Sequence, residues 1–118
     1  MCDKKQQTLN LPYPPSVNNM WLTSGRRRYI SKRGVEFKAA VANICDGLVG
    51  FGGSPVELSI VLYPRDKRLM DIDNCCKSIL DSLQGYMYED DQQVCKLTIE
   101  RGEKIKGGGC QVTIKEYI

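Results

Sequence analysis

Residues 71–85 read DIDNCCKSILDSLQG and predict an amphipathic helix that opens with two aspartates. Apolar side chains recur here at the three- and four-residue spacing of one helical face. They are Ile72, Cys76, Ile79, Leu80 and Leu83. Gly85 is a natural C-terminal stop, because glycine readily takes the left-handed conformation that ends many helices. The stretch therefore predicts a helix that buries one face and presents acids from its first turn.

The rest of the chain adds one helix and four strands. A second apolar stripe follows Ser31, a candidate N-cap, and is predicted to end at a glycine-rich segment. The stripe comprises Phe37, Val41, Ile44, Cys45 and Leu48, and the glycines are Gly50, Gly52 and Gly53. Alternating apolar residues predict strands over 8–11, 56–62, 95–99 and 110–114, while 27–30 is either a short strand or part of a loop. The order β-α-β-α-β-β predicts an α+β fold, a single domain over residues 1–118 with two helices packed on a mixed sheet.

Composition limits the class of protein. The 118 residues are 42% hydrophobic and 26% charged, which is typical of a soluble globular domain. No stretch approaches the roughly 20 apolar residues that span a bilayer. The first seven residues, MCDKKQQ, lack the apolar core of a signal peptide, so the sequence predicts a cytoplasmic protein.

The charges are segregated along the chain, although the net charge is only +3. Residues 26–38 carry six basic side chains against one acid, and residues 71–91 carry six acids against one lysine. This pattern favours a protein that grips a polyanion and presents carboxylates to it through a bridging cation. Two solvated faces are the simpler alternative. The candidate DNA-binding residues are Arg26, Arg27, Arg28, Lys32, Arg33, Arg65, Lys67 and Arg68.

Cysteine and histidine usage narrows the chemistry further. The six cysteines are Cys2, Cys45, Cys75, Cys76, Cys95 and Cys110, and the chain has no histidine. A reducing cytosol disfavours disulfides, and the absence of both CxxC spacing and histidine disfavours a structural zinc site, so the cysteines are interpreted as core residues. Without histidine, any catalysis must use carboxylates, lysine or a metal.

Two acidic clusters are candidates for a metal site. Asp71 and Asp73 begin the predicted helix, with Lys77 one turn after Asp73. Helix capping and an Asp73–Lys77 pair would explain these residues structurally, and for the short motif alone that explanation is favoured. A loop returning antiparallel to the helix would bring Asp90 or Asp91 back beside its first turn. Converging carboxylates repel each other without a cation, so the two clusters together favour Mg²⁺, with Mn²⁺ expected to substitute.

A longer spaced motif joins these residues. It runs Asp71-x-Asp73-Asn74-x-x-Lys77-x-x-x-Asp81-x-Leu83-x-Gly85-x-x-x-x-Asp90-Asp91-x-Gln93-Val94. It follows an opening loop, PPSVNN at residues 14–19, and an aromatic at Trp21. This pattern closely resembles that of the RusA family of Holliday-junction resolvases, and the resemblance spans about residues 8–117.

The resemblance implies a Mg²⁺-dependent homodimer that resolves four-way DNA junctions by paired nicks in recombination and repair, in bacteria or their prophages. It implies that Asp71, Asp73 and Asp91 are the catalytic metal ligands and that Lys77 is the catalytic lysine. Three other motif residues, Asp90, Asn74 and Asp81, are interpreted as supporting or structural. Tyr86 and Tyr88 are candidates for the bulky aromatic with which some members disturb the junction. The alternatives are a flap or Y-junction nuclease, a DNA-binding module without catalysis, and a structural cation-binding protein.

Overall fold

Six strands and three α-helices form the part of the chain that the computed structural model describes, residues 6–67 and 71–117. In chain order they are β1 (Gln6–Leu11), α1 (Val17–Met20), β2 (Trp21–Ser24), β3 (Arg27–Ile30), α2 (Lys32–Cys45), β4 (Val56–Tyr63), α3 (Cys76–Leu83), β5 (Val94–Arg101) and β6 (Gly109–Glu116). Two short 3₁₀ turns, Ile72–Cys75 and Asp91–Gln93, precede α3 and β5. The predicted α+β class is confirmed, and α1 and the β2–β3 hairpin are additions to the predicted order.

One four-stranded sheet carries most of the fold. Its strand order is β1-β6-β4-β5, with β6 antiparallel to both neighbours and β4 parallel to β5. The predicted mixed sheet is therefore confirmed. A parallel pair cannot be joined by a tight hairpin and requires a long crossover. Both acidic clusters lie in that crossover, between the end of β4 and the start of β5.

The core lies between one face of this sheet and the two longer helices. Every second residue of β4 is buried, from Val56 to Leu62, as the alternating pattern predicts. Phe37 and Val41 of α2 and Ile79 and Leu83 of α3 pack into the same cluster. The Ser31 hydroxyl caps α2 by accepting a hydrogen bond from the Gly34 N–H at 3.0 Å.

Both helix predictions need a correction in detail. The second apolar stripe ends earlier than predicted, because α2 stops at Cys45 and the chain turns at Gly47, whose φ is +79°. Leu48 therefore lies beyond the helix and is exposed. The helix at 71–85 begins as a 3₁₀ turn with about three residues per turn, which rotates the following residues. As a result Cys75, and not Cys76, is the fully buried cysteine of this segment.

Strand β5 was predicted correctly, but its burial was not. Cys95 is exposed and Leu97 is 41% exposed, although Leu97 pairs with the buried Leu58 of β4, so burial of this sheet face does not extend over β5. The core assignment of the cysteines is thus confirmed for Cys45, Cys75 and Cys110 and wrong for Cys95. Cys76 is half-buried, and Cys2 lies outside the described residues.

Among the helices of the described segments, none has both the length and the apolar content needed to cross a membrane.

Candidate active site and nucleic-acid interface

The first two acids stand at the turn that precedes α3. Asp71 flanks the 3₁₀ turn and makes no side-chain capping hydrogen bond, and Asp73 lies within the turn. Both side chains are exposed, and neither forms an ion pair with another residue in the described ranges. Helix capping therefore does not account for Asp71. The pKa of the Cys76 thiol is raised, mainly because the thiol is partly buried and also because the negative charge of Asp73 is nearby.

Lys77 joins α3 to the acidic loop of residues 89–91. Its Nζ lies 3.0 Å from Oδ1 of Asp81 and 3.3 Å from Oδ2 of Asp91. Hydrogen bonds from Lys77 to these two carboxylates, the one to Asp81 first, raise the pKa of its ammonium above the ordinary value. The predicted return of the Glu89–Asp91 loop to the first turn of α3 is thus seen in the structure, whereas the partner proposed from helical spacing, Asp73, is replaced by Asp81.

The loop that carries Asp91 is held by the side chain of Gln93. Its Oε1 accepts hydrogen bonds from the backbone N–H groups of Glu89 (2.8 Å) and Asp90 (2.9 Å). Its Nε2 donates to the carbonyls of Gly52 (2.7 Å) and Ser54 (2.8 Å), which lie between α2 and β4. Four hydrogen bonds from one side chain therefore fix where Asp91 is presented.

Gln93 is a positioning residue that the sequence argument did not identify, although a signal was present. Asp90-x-x-Gln93 has the spacing of a capping box, in which the first side chain caps a turn and the fourth returns to the first backbone N–H. The Asp90 carboxylate accepts from the Gln92 N–H at 2.9 Å and completes this box. Asp90 therefore has a structural role in the acidic loop.

The oxygen donors suit a hard divalent cation, but the cluster is not preassembled. Across residues 6–67 and 71–117, no three acidic or cysteine side chains are grouped so that they could hold a metal ion. The structure brings Asp91 together with Lys77 and Asp81, and it does not bring Asp71, Asp73 and Asp91 into one such group. Asp71 and Asp73 are nevertheless exposed carboxylates of the type that Mg²⁺ and Mn²⁺ prefer.

A basic hairpin supplies the clearest candidate surface for a polyanion. Strands β2 and β3 pair antiparallel and are joined by Gly25 and Arg26, with Gly25 at φ +63°, a conformation that favours glycine. Arg26, Arg27 and Arg28 are all exposed. The Arg28 guanidinium lies 4.8 Å from the Trp21 ring centre, and Lys38 of α2 approaches the same ring at 5.5 Å. Trp21 thus anchors the base of the hairpin between two cations.

The remaining predicted DNA contacts lie on two other segments. Lys32 and Arg33 are exposed in the first turn of α2, and Arg65 and Lys67 are exposed just after β4. Arg65 is 3.8 Å from Asp66, a weak surface ion pair. Arg68 lies outside the described residues.

The two candidate aromatics differ sharply. Tyr88 is only 2% exposed, and its hydroxyl donates a hydrogen bond to the Leu80 carbonyl at 2.7 Å. Burial, and then the charges of Asp91 and Asp81, raise the pKa of the Tyr88 phenol. The prediction that Tyr88 disturbs the junction is therefore wrong, because a buried ring cannot reach DNA. Tyr86 is 47% exposed and remains a candidate.

Comparison with known proteins identifies the family of this chain. A family model described as "Endodeoxyribonuclease RusA" matches residues 12–115. A crossover junction endodeoxyribonuclease from Enterobacteria phage HK97 is 36% identical over 109 residues, covering 90% of this chain and 91% of the relative. The proteins of the same name from Enterobacteria phage 82 and Escherichia coli K12 are 32% and 30% identical, each covering 92% of this chain and 92% or 93% of their own length. The chain therefore belongs to the RusA family of endodeoxyribonucleases.

Proposed function

We propose that the chain is a crossover junction endodeoxyribonuclease, which resolves four-way DNA by paired nicks as a homodimer formed from one RusA-like domain per chain. Family membership implies a nuclease that depends on a divalent metal. The observation that carries the assignment of the site is the 3.3 Å approach of Lys77 to Asp91, because it joins the loop of residues 89–91 to the first turn of α3, directly after the turn that contains Asp73.

We assign the metal ligands to Asp71, Asp73 and Asp91, and the metal to Mg²⁺, with Mn²⁺ as a substitute. The donor chemistry supports this assignment, since all three are carboxylates and two of them are exposed. When bound there, a divalent cation would lower the pKa of a water molecule and offset negative charge on the phosphate. Gln93 holds the third carboxylate in place through its bonds to the residues around it.

Lys77 acts as a fixed positive charge beside the scissile phosphate and not as a base. Its pKa is raised by Asp81 and Asp91, so the ammonium stays protonated at neutral pH. A protonated amine cannot accept a proton from water, but it can donate hydrogen bonds to a phosphate oxygen or orient the attacking water. Asp81 supports this role by orienting the ammonium at 3.0 Å.

Binding uses the basic hairpin, the start of α2 and the segment after β4. The exposed arginines and lysines there match phosphates, which carry shape and spacing but no base sequence. A four-way junction can be two-fold symmetric, so a symmetric dimer with two sites matches its substrate.

A nicking assay tests this function directly. Four-way, Y-shaped and linear duplex DNA are incubated with the protein in Mg²⁺ or EDTA, and cut sites are mapped on each strand. We expect symmetric paired nicks in the four-way junction, no cutting in EDTA and little cutting of linear duplex. Preferential cutting of the Y-shaped substrate would reassign the enzyme to flap or Y-junction cleavage, and no cutting with either Mg²⁺ or Mn²⁺ would overturn the enzymatic proposal.

Two aspartate variants then separate catalysis from folding. Asp71→Asn and Asp73→Asn each remove one negative charge, so metal-free junction binding should be equal or tighter while cutting is abolished. Asp46→Asn makes the same change at an exposed position beyond α2 and serves as the control. Loss of binding in the first two variants, with the control unaffected, would indicate a folding role for these acids.

A further inference from the structure

We propose that a recess between residues 12–15 and the start of α2 receives one nucleotide base next to the scissile phosphate and thereby sets which junction sequences are cut. This inference rests on the proposed junction-cutting function and specifies how substrates would be selected. The recess has a volume of about 340 Å³, within the range of roughly 300–1,000 Å³ typical of small-ligand sites. It is lined by Pro12, Tyr13, Pro15, Arg33, Glu36 and Phe37.

The apolar walls suit a flat ring. Phe37 is buried beneath the recess, Tyr13 is half-buried, and prolines lie on either side of Tyr13. Bases bind to aromatic and apolar side chains of this kind by stacking, since every base has an apolar face. The walls therefore accept a base without selecting which one.

The polar side chains add selection. Arg33 and Glu36 are three residues apart on α2, so they lie on one side of the helix. Both are exposed, and within the described residues neither forms an ion pair or a side-chain hydrogen bond. Both side chains are therefore available to a ligand. Arg33 can donate hydrogen bonds to it, and Glu36 can accept them.

The chemistry of each residue indicates what it recognises. A glutamate carboxylate only accepts hydrogen bonds, so Glu36 selects a base with an exocyclic amino group, as cytosine, adenine and guanine have, over thymine, which has none. Arg33 only donates, which suits a phosphate or a carbonyl edge of the same nucleotide. The recess thus reads an amino-bearing base in a strand that the junction leaves accessible.

The recess is directly attached to the acidic turn. The Cys75 thiol donates a hydrogen bond to the carbonyl of Pro14, the neighbour of Tyr13, at 3.6 Å. Cys75 is the last residue of the turn that carries Asp73. A base bound against Tyr13 would therefore lie beside the turn that contains Asp73, one of the proposed metal ligands.

Cleavage mapping tests the role of Glu36. Junctions carrying each of the sixteen dinucleotides at the crossover are cut by the wild type, by Glu36→Gln and by Glu103→Gln, the last being an exposed control outside the recess. We expect the wild type to prefer cytosine, adenine or guanine over thymine at one position. Glu36→Gln should lose roughly five- to 100-fold of that preference, the discrimination typical of a specific base contact. An unchanged preference in Glu36→Gln would overturn the proposal.

Base entry is tested separately from cutting, so that the two proposals fail in different ways. Junctions with 2-aminopurine at successive positions near the crossover are titrated in EDTA with the wild type, Tyr13→Phe and Tyr13→Ala, after thermal unfolding has shown that each variant folds. We expect a fluorescence change at one position that Tyr13→Phe keeps and Tyr13→Ala removes. Absence of any position-specific change in the wild type would overturn the recess, whereas a clear change without nicking by the wild type would support the recess and overturn only the nuclease proposal.

Discussion

Lys77 Nζ lies 3.3 Å from Asp91 Oδ2, so one ammonium connects α3 to the loop of residues 89–91, although the two residues are fourteen positions apart in the sequence. The same nitrogen is 3.0 Å from Asp81. Lys77 thereby offsets the repulsion between the carboxylates of Asp81 and Asp91, which it contacts together.

Replacing Lys77 with methionine should separate binding from turnover. Methionine keeps most of the length and removes the charge, so we expect junction affinity to change little and single-turnover cutting to fall by about 100-fold or more, as when a charge-stabilising group is lost. Lys115→Met removes one charge from the sheet face away from the helices, where Lys115 pairs with Glu57 at 3.5 Å, and is the control. Near-normal cutting by Lys77→Met would exclude Lys77 from the mechanism.

The cutting rate should not depend on the protonation of Lys77 between pH 6.5 and 9. Its pKa is raised in the folded protein above the ordinary 10.5 by Asp81 and then Asp91. The stability contributed by these pairs is therefore complete below about 10.5 and is lost only as the pH rises through the higher folded pKa. Single-turnover rates of the wild type and Lys77→Arg, measured from pH 6.5 to 9, should have the same profile shape. A limb between pH 7 and 9 that disappears in Lys77→Arg would show that Lys77 acts as a base.

Removing the side chain of Gln93 should release the acidic loop. Gln93→Ala loses four hydrogen bonds, and because the group is partly exposed we expect a net loss of about 1 kcal/mol in the free energy of unfolding. The nicking rate should fall even under conditions in which Gln93→Ala remains folded, since Asp91 is no longer held beside Lys77. Gln92→Ala, which changes an exposed neighbour, is the matched control in chemical denaturation and nicking assays. If Gln92→Ala and Gln93→Ala changed the nicking rate and the free energy of unfolding equally, Gln93 would have no positioning role.

Junction binding should weaken steeply with salt. Each phosphate contact contributes about −0.9 to the slope of log K against log salt concentration for duplex arms, so Arg27→Ala should make the slope less steep by about one. The measurement is a fluorescence anisotropy titration in EDTA at several salt concentrations, with Lys115→Ala as a control of equal charge change. A slope near zero for the wild type would exclude the basic hairpin and its neighbouring segments from binding.

Local signals predicted most of the fold. The alternation in β4, the Ser31 cap and the stop at Gly85 depend on neighbouring residues only, and the structure has each of them. The wrong predictions concern residues whose burial depends on contacts with distant parts of the chain. Cys95 is exposed on β5, whereas the alternating leucines of β1, at the other edge of the sheet, are buried, and alternation alone does not distinguish the two strands.

The candidate site was also predicted only in part. The return of Asp91 to the first turn of α3 could be anticipated from loop length and charge. The choice of Asp81 over Asp73 as a partner of Lys77 could not, because it depends on the 3₁₀ turn that rotates the start of the helix. The role of Gln93 depends on carbonyls at Gly52 and Ser54, about forty residues earlier, and only its capping-box half is visible locally.

The parallel pairing of β4 and β5 has a consequence for the order in which the protein matures. Asp71 and Asp73 are synthesised before β5, but Asp91 reaches Lys77 only when β5 docks beside β4, and β4 also pairs with the last strand, β6. Such nonlocal pairings form late, since the chain between them must first be ordered. A chain that ends before β5 therefore contains Asp71, Asp73 and Lys77 but lacks the parallel strand that follows Asp91 in the folded protein.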